Sequence, residues 1–179
     1  MLSFNEKTED LLIGGLRVVQ SEAGYRHAMD PFLLSAFAQV RSGERVVDFG
    51  TAAGIIPLLL TAMTQAENIV GLEVQPALVE KARQNVTLND LQELIEIIEA
   101  DIRSIASRKI FAHESFDVVV SNPPYRKLAT GTVAPGEERA ACRHELHGDI
   151  GDFVEAAFYL LRNSGRMFLV YLPERLPEL

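Results

Sequence analysis

Apolar and polar positions along this chain change period several times. Arg45-Val46-Val47-Asp48-Phe49-Gly50 reads as a buried strand, and a glycine-bounded turn then feeds Ile55-Ile56-Pro57-Leu58-Leu59-Leu60. Proline is tolerated only in a helix's first turn, where its missing N–H costs little, so this helix is expected to start near Gly54. Asn68 to Val74 predicts a second strand. Pro76 opens a helix with Leu78, Ala82 and Val86 four apart on one face, and Asn89-Asp90 marks its end. Leu94 to Ala100 predicts a third strand, less buried than the first, and Phe116 to Val120 a short fourth. Asp149 or Asp152 caps a helix carrying Phe153, Ala156, Ala157, Leu160 and Leu161 on one stripe. Asn163-Ser164-Gly165 stops it, and Arg166 to Leu172 makes a fifth strand. Strands alternating with helices predict an α/β fold, a parallel sheet with helices on both faces.

Two regions lie outside this rhythm. In the first 44 residues, Asp30-Pro31 followed by Phe32, Leu33, Leu34, Phe37 and Ala38 predicts one helix. Residues 1–44 are therefore read as a segment packing on a core of residues 45–179. From Asn122 to His147 no period is visible, and loops of that length in a compact domain are usually functional or disordered. At the other end, Met167 to Leu172 is a continuous apolar run, expected of a strand covered on both faces. Only seven residues follow Leu172. The expectation is a core truncated at its C-terminus, or an open sheet edge that pairs with a second copy as a homodimer.

Composition narrows the class. The chain has 179 residues, 47% of them apolar, and a net charge of −8. That is ample core for one domain and excludes a largely disordered chain. Net negative charge argues against indiscriminate nucleic-acid binding. The start lacks the order of a signal peptide. The longest apolar stretch, Gly54 to Met63, is too short to cross a membrane. A single cysteine, Cys142, forms no internal disulfide. These features predict a cytoplasmic protein with no membrane partner.

The candidate chemistry sits at the ends of the predicted strands. Asp48-Phe49-Gly50-Thr51-Ala52-Ala53-Gly54 ends strand one, where open parallel sheets bind ligands. Glu73, 19 residues beyond Gly54, ends strand two, where a carboxylate can accept both hydroxyls of a ribose. Ala52 and Ile55 break the dinucleotide fingerprint, and no phosphate loop is present, which suits a nucleoside without phosphates. Asp101 ends strand three. It can accept from an adenine amino group, with the Ile102 N–H donating to a ring nitrogen, or serve only as a turn residue or cap.

Ser121-Asn122-Pro123-Pro124-Tyr125 is the sharpest motif. The asparagine oxygen is an acceptor that stays neutral at every working pH. Two prolines restrict the chain, so the Pro123 carbonyl can serve as a fixed second acceptor. Two acceptors on one –NH₂ group draw its hydrogens aside and turn its lone pair outward. Tyr125 offers a flat surface on which a base would stack, worth ~1–3 kcal/mol.

Taken in order, Asp48 to Gly54, Glu73, Asp101 and Asn122 to Tyr125 resemble the S-adenosylmethionine-dependent methyltransferases, and within them the amino-methylating group with an Asn-Pro-Pro-Tyr site. The flanks Asp10-Leu11-Leu12, Gly24-Tyr25-Arg26, Asp30, Tyr125-Arg126-Lys127 and Arg143-His144-Glu145 are similar to the bacterial adenine-N6 methyltransferases of valine tRNA. The resemblance implies a Rossmann-like, doubly wound class I methyltransferase sheet, here lacking the family's C-terminal antiparallel hairpin. Ala52 departs from the usual central glycine of the cofactor turn.

By the same resemblance, Asp48, Gly50, Thr51 and Gly54 hold the methionine half of S-adenosylmethionine, with Arg26 and Asp30 closing over it. Glu73 takes the ribose, and Asp101 and Ile102 take the adenine. Asn122, also part of the cofactor site, holds the target amine with Pro123 and Pro124, and Tyr125 stacks on the target base. Arg126, Lys127 and Arg143 would contact the tRNA substrate. The segment Asn122–His147 carries Arg126, Lys127, Arg139 and Arg143 against Glu137, Glu138 and Glu145, so it reads as an RNA-facing lid or as a solvated loop. His144 and His147 are three apart, not the four of a helical zinc pair, so no metal is expected. Four readings stay open: adenine N6 in tRNA, glutamine N5 in release factors, guanine N2 in ribosomal RNA, and a cofactor-binding fragment without turnover. The Arg126-Lys127 flank and the lack of an N-terminal helical domain favour RNA.

Overall fold

The computed structural model describes residues 6–21, 29–123 and 149–178. A hairpin comes first, β1 (Glu6–Asp10) antiparallel to β2 (Arg17–Ser21), followed by α1 (Asp30–Phe37). The core then runs β3 (Arg45–Phe49), α2 (Ile55–Met63), β4 (Asn68–Glu73), α3 (Pro76–Leu88), β5 (Ile95–Glu99) and a 3₁₀ turn (Ile102–Ser104). It continues with the single-turn α4 (Ile105–Arg108), β6 (Phe116–Ser121), α5 (Ile150–Leu160), β7 (Leu161–Leu169) and a final 3₁₀ segment (Pro173–Glu178). The five strands pair in parallel in the order β5-β4-β3-β6-β7. Order reverses at β3, so a crevice opens between the carboxyl ends of β3 and β6.

Strand alternation sends successive side chains to opposite faces, and each face has its own core. Val46, Ile69, Ile97, Val118 and Val120 meet α2, α3, α1 and the hairpin residues Leu11, Leu16 and Val18. Val47, Phe49, Val70, Leu72 and Val119 meet Ile105 and the α5 stripe Phe153, Ala156, Ala157 and Leu160. Pro57 falls in the first turn of α2, whose cap is Gly54, as the missing N–H requires. Asp149 and Asp152 both serve α5, in a reciprocal capping box.

Three features differ from the sequence expectation. The hairpin β1–β2 went unread. The helix α5 stops at Leu160 rather than at Asn163–Gly165, and β7 covers Leu161–Leu169 rather than Arg166–Leu172. A register irregularity between Phe116 and Val118 absorbs the extra residues of β7, with Ser164 in the left-handed region at φ +67°. The apolar run at 167–172 is half-buried rather than fully covered. No described helix is long and apolar enough to cross a membrane.

Candidate active site

The turn after β3 lies at the sheet's carboxyl edge. Its backbone is left-handed at Gly50 (φ +68°), Ala52 (φ +49°) and Gly54 (φ +82°). Ala52 carries the strain that a glycine would avoid, about 1–2 kcal/mol. What holds it is a set of hydrogen bonds. Thr51 N–H donates to the Leu72 carbonyl (2.9 Å), Gly54 N–H to the Thr51 carbonyl (2.8 Å), and Ala52 N–H to Glu73 Oε2 (3.0 Å). A Cβ on Gly54 would lie 3.3 Å from that of Ala82, so this glycine lets α3 pack close. A Cβ on Gly50 would meet nothing within 4 Å, so that side of the turn is open space.

Asp48 is completely buried beside this turn, and neither of its oxygens has a hydrogen-bond partner among the described residues. Burial pushes its carboxyl up to about 8; the adjacent Thr51 hydroxyl opposes the rise and the negative charge of Glu73 adds to it. The approach of Thr51 falls short of a completed bond, since its own Oγ1 is also buried and unpartnered. Buried polar atoms are normally satisfied, and leaving one bare costs about 1–3 kcal/mol.

Across the crevice, Ser121 pairs with Phe49 in register, and its hydroxyl donates to the Phe49 carbonyl at 3.0 Å. On the far side Val170 N–H donates to the Ser121 carbonyl (3.2 Å). These bonds fix where β6 ends, so Asn122 emerges level with Gly50. Among the described residues the Asn122 Oδ1 is buried and unpartnered, and Pro123 is buried next to it in the chain. Asp48, Thr51 and Asn122 are thus three neighbours with unsatisfied oxygens at the topological switch point.

The remaining expected residues are more committed. Glu73 is buried, and besides Ala52 its carboxylate accepts Val74 N–H and Gln75 N–H, both at 2.9 Å. A carboxylate has about four lone-pair sites, so these three bonds leave room for about one more donor, not for two ribose hydroxyls without rearrangement. Asp101 caps the 3₁₀ turn through Arg103 N–H (3.0 Å) and forks with the Arg103 guanidinium at 2.9 and 2.5 Å. Ile102 is buried under that turn, and Asp30 opens α1. Arg26, Pro124, Tyr125, Arg126, Lys127 and Arg143 lie outside the described residues, as do Cys142, His144 and His147. Among the described residues no group of three or more His, Cys, Asp or Glu is placed to hold a metal.

Sequence reasoning missed Asn85 on α3, which is fully buried against the turn; its Nδ2 donates to the Ala53 carbonyl at 2.9 Å. The available signal was two asparagines, Asn85 and Asn89, four apart on one helix face.

Fold and crevice together define a Rossmann-like class I methyltransferase architecture. A predicted O-methyltransferase from Agrobacterium tumefaciens superposes with a TM-score of 0.64 at 24% identity, over 84% of this chain and 64% of that one. TrmN from Thermus thermophilus gives 0.59 at 23% identity, over 83% and 39%. The model of the methyltransferase small domain family matches residues 21–175, and the chain belongs to that family. Among curated relatives, the tRNA1(Val) (adenine(37)-N6)-methyltransferase of Phocaeicola vulgatus is 34% identical over 80% of this chain and 58% of its own length. Its counterpart from Porphyromonas gingivalis is 29% identical over 89% and 64%. The chain therefore spans about three-fifths of the length of these relatives.

Proposed function

We propose that this chain is the cofactor-binding and catalytic part of an S-adenosylmethionine-dependent N-methyltransferase acting on adenine N6 of tRNA, in the anticodon-loop region of valine tRNA. One observation carries the reading: among the described residues Asn122 Oδ1, a neutral acceptor, is buried without a partner at the same strand ends as the unpartnered oxygens of Asp48 and Thr51. The names of the relatives support tRNA as the substrate class.

The residues present fit the cofactor. Asp48 and Thr51 offer unsatisfied oxygens to its methionine half, and Gly50 leaves that side of the turn free of side chain. Glu73 has capacity for one ribose hydroxyl, while Asp101 and Ile102 border the place for the adenine. When bound, S-adenosylmethionine supplies an electrophilic methyl group. The protein's part is positioning, which is worth up to about 7–11 kcal/mol of a barrier when reacting atoms are well aligned. Asn122 Oδ1 and the Pro123 carbonyl accept from the target –NH₂ and aim its lone pair, Pro124 stiffens the segment, and Tyr125 stacks on the base. A strong general base is unnecessary, because a methylated amine is acidic and sheds its proton readily. A base in an anticodon loop is already partly unstacked, which lowers the work of presenting it. Arg126, Lys127 and Arg143 face the RNA backbone in this reading, and Arg26 and Asp30 close over the cofactor. A tRNA substrate supports a cytoplasmic location. The outer edge of β7 has no strand neighbour among the described residues, which supports pairing with a second copy.

The test is incubation with labelled S-adenosylmethionine and either total tRNA or release factor, followed by nucleoside and peptide mass analysis. N6-methyladenosine in valine tRNA is the expected product. Methylated glutamine or N2-methylguanine in its place overturns the substrate. Cofactor binding without transfer, restored in a longer chain, assigns this chain the cofactor-binding role alone.

A further inference from the structure

The turn that carries the candidate site is held from two sides, and only one of them was visible in the sequence. Glu73 on β4 takes the Ala52 N–H at 3.0 Å. From α3, the completely buried Asn85 donates to the Ala53 carbonyl at 2.9 Å. The same carboxamide accepts the Val19 N–H of β2 at 2.7 Å. Four residues on, at the C-terminal cap of α3, Asn89 repeats half of this pattern: it accepts from Arg17 N–H (2.8 Å) and donates to the Arg17 carbonyl and to the Asn85 carbonyl (both 2.7 Å). Both asparagines thus grip β2, but Asn85 alone reaches onward to the turn. Ala52, bonded by Glu73 and next in the chain to the Ala53 that Asn85 holds, stands at φ +49° in a conformation its side chain disfavours.

From this geometry we infer that Asn85 is a positioning residue, coupling the N-terminal hairpin to the cofactor turn, so that cofactor affinity depends on where β2 sits. The inference rests on the reading of that turn as an S-adenosylmethionine site. The carboxamide is suited to the task because it donates and accepts at once without charge. An asparagine in a helix interior is otherwise a poor choice, and its burial needs both partners. Removing it frees the Ala53 carbonyl and lets the strained turn relax, whereas removing Asn89 loosens the hairpin and leaves the turn held.

The experiment compares Asn85→Ala and Asn89→Ala with the unaltered chain, by calorimetric titration with S-adenosylhomocysteine and by thermal melts without ligand. Asn85→Ala is expected to weaken binding at least tenfold, and Asn89→Ala less than twofold, even if both lower the melting temperature. Where turnover is measurable, Asn85→Ala raises the cofactor KM with kcat within about twofold. Equal affinity in both variants, or equal losses tracking the melting temperatures, overturns the coupling. Should Asn85→Ala not fold, hydrogen exchange on the unaltered chain decides. Saturating ligand is expected to slow exchange at Val19 N–H at least fivefold and to change Arg17 N–H less; identical responses overturn the coupling. Failure of the unaltered chain to bind would count against the cofactor site itself.

Discussion

The two ends of the sheet both bury carboxylates, but they surround them differently. At the amino end, Glu44 and Asp117 are buried beside arginines, although Asp117 Oδ1 has an ion pair and no hydrogen bond among the described residues. Glu44 accepts Arg41 N–H (2.7 Å) and the Arg166 guanidinium (2.6 Å), while Asp117 takes Arg45 N–H (2.7 Å) and an ion pair from Arg162. At the carboxyl end, both Asp48 oxygens, Thr51 Oγ1 and Asn122 Oδ1 are buried without a hydrogen-bond partner among the described residues. Folding alone explains the first set, since Glu44 ties the turn before β3 to β7 and Asp117 ties β6 to β3 and β7. It does not explain the second. The difference that matters is therefore narrow. The buried carboxylates of the amino end lie against arginines. Asp48, at the strand-order reversal, has no cation beside it among the described residues and only Thr51 approaching it, which is what the proposed ligand would make up for.

Substitutions at the two ends should therefore separate activity from stability. The largest effect belongs to Asn122→Ala, which removes the neutral acceptor. Methyl transfer should fall about 10²–10³-fold, the usual loss when one preorganised polar contact to a reacting group is removed. The melting temperature should hardly move, and single-turnover assay beside a melt checks both. At the opposite end, Arg166→Met leaves Glu44 buried without its cation, and urea unfolding should show a loss of about 2–4 kcal/mol with cofactor affinity unchanged. An unfolding loss at Asn122 and an activity loss at Arg166 would reverse the assignment.

The pH response sharpens the contrast because the signs differ. Burial holds the folded-state pKa of Asp48 at about 8, far above its ordinary value of 3.8. Its contribution to stability is complete below about pH 4 and declines as pH rises toward 8, by up to about 1.4 kcal/mol per unit. Asp48→Asn should abolish that decline and weaken cofactor binding. For Glu44, burial acts upward, but the bond from Arg166, the Arg41 N–H and the charges of both arginines outweigh it, leaving the carboxyl below its usual range. Its contribution is present above about pH 4.5 and disappears as pH falls through the lowered value. Unfolding of the unaltered chain, Asp48→Asn and Arg166→Met measured from pH 3 to 9 reads the two slopes.

The smallest effect is at Ala52. Replacement by glycine relieves the left-handed strain but loosens the unfolded chain, so a net gain of about 0.5 kcal/mol is expected by denaturant titration.

How much of this was legible in the sequence follows from what each residue advertises. The strand ends and their acids were readable because apolar runs stop at Asp48, Glu73, Asp101 and Asn122. The start of α2 was readable from Pro57, and that of α5 from two aspartates. The hairpin was not: Lys7 to Asp10 are all exposed, and the loop between the strands contains Leu11, Leu12 and Ile13, which masks the period. Nor were the bounds of β7, because the register irregularity that admits Arg162 to Gly165 belongs to its pairing with β6 rather than to local sequence. In the site, the position of Asn122 at the end of β6 could be read from its motif, and its role is the one proposed above. The prior commitment of Glu73 to three backbone N–H groups, and the bridge through Asn85, arise from tertiary approach. No spacing announces such bonds.

The most direct measurement is a crystal structure of this chain with S-adenosylhomocysteine. The sulfur should lie in the crevice between the ends of β3 and β6, facing Asn122 Oδ1, with the amino acid portion against Asp48 and Thr51. A ligand bound elsewhere, or an empty crevice at saturating concentration, would contradict the claim that these bare oxygens are a cofactor site.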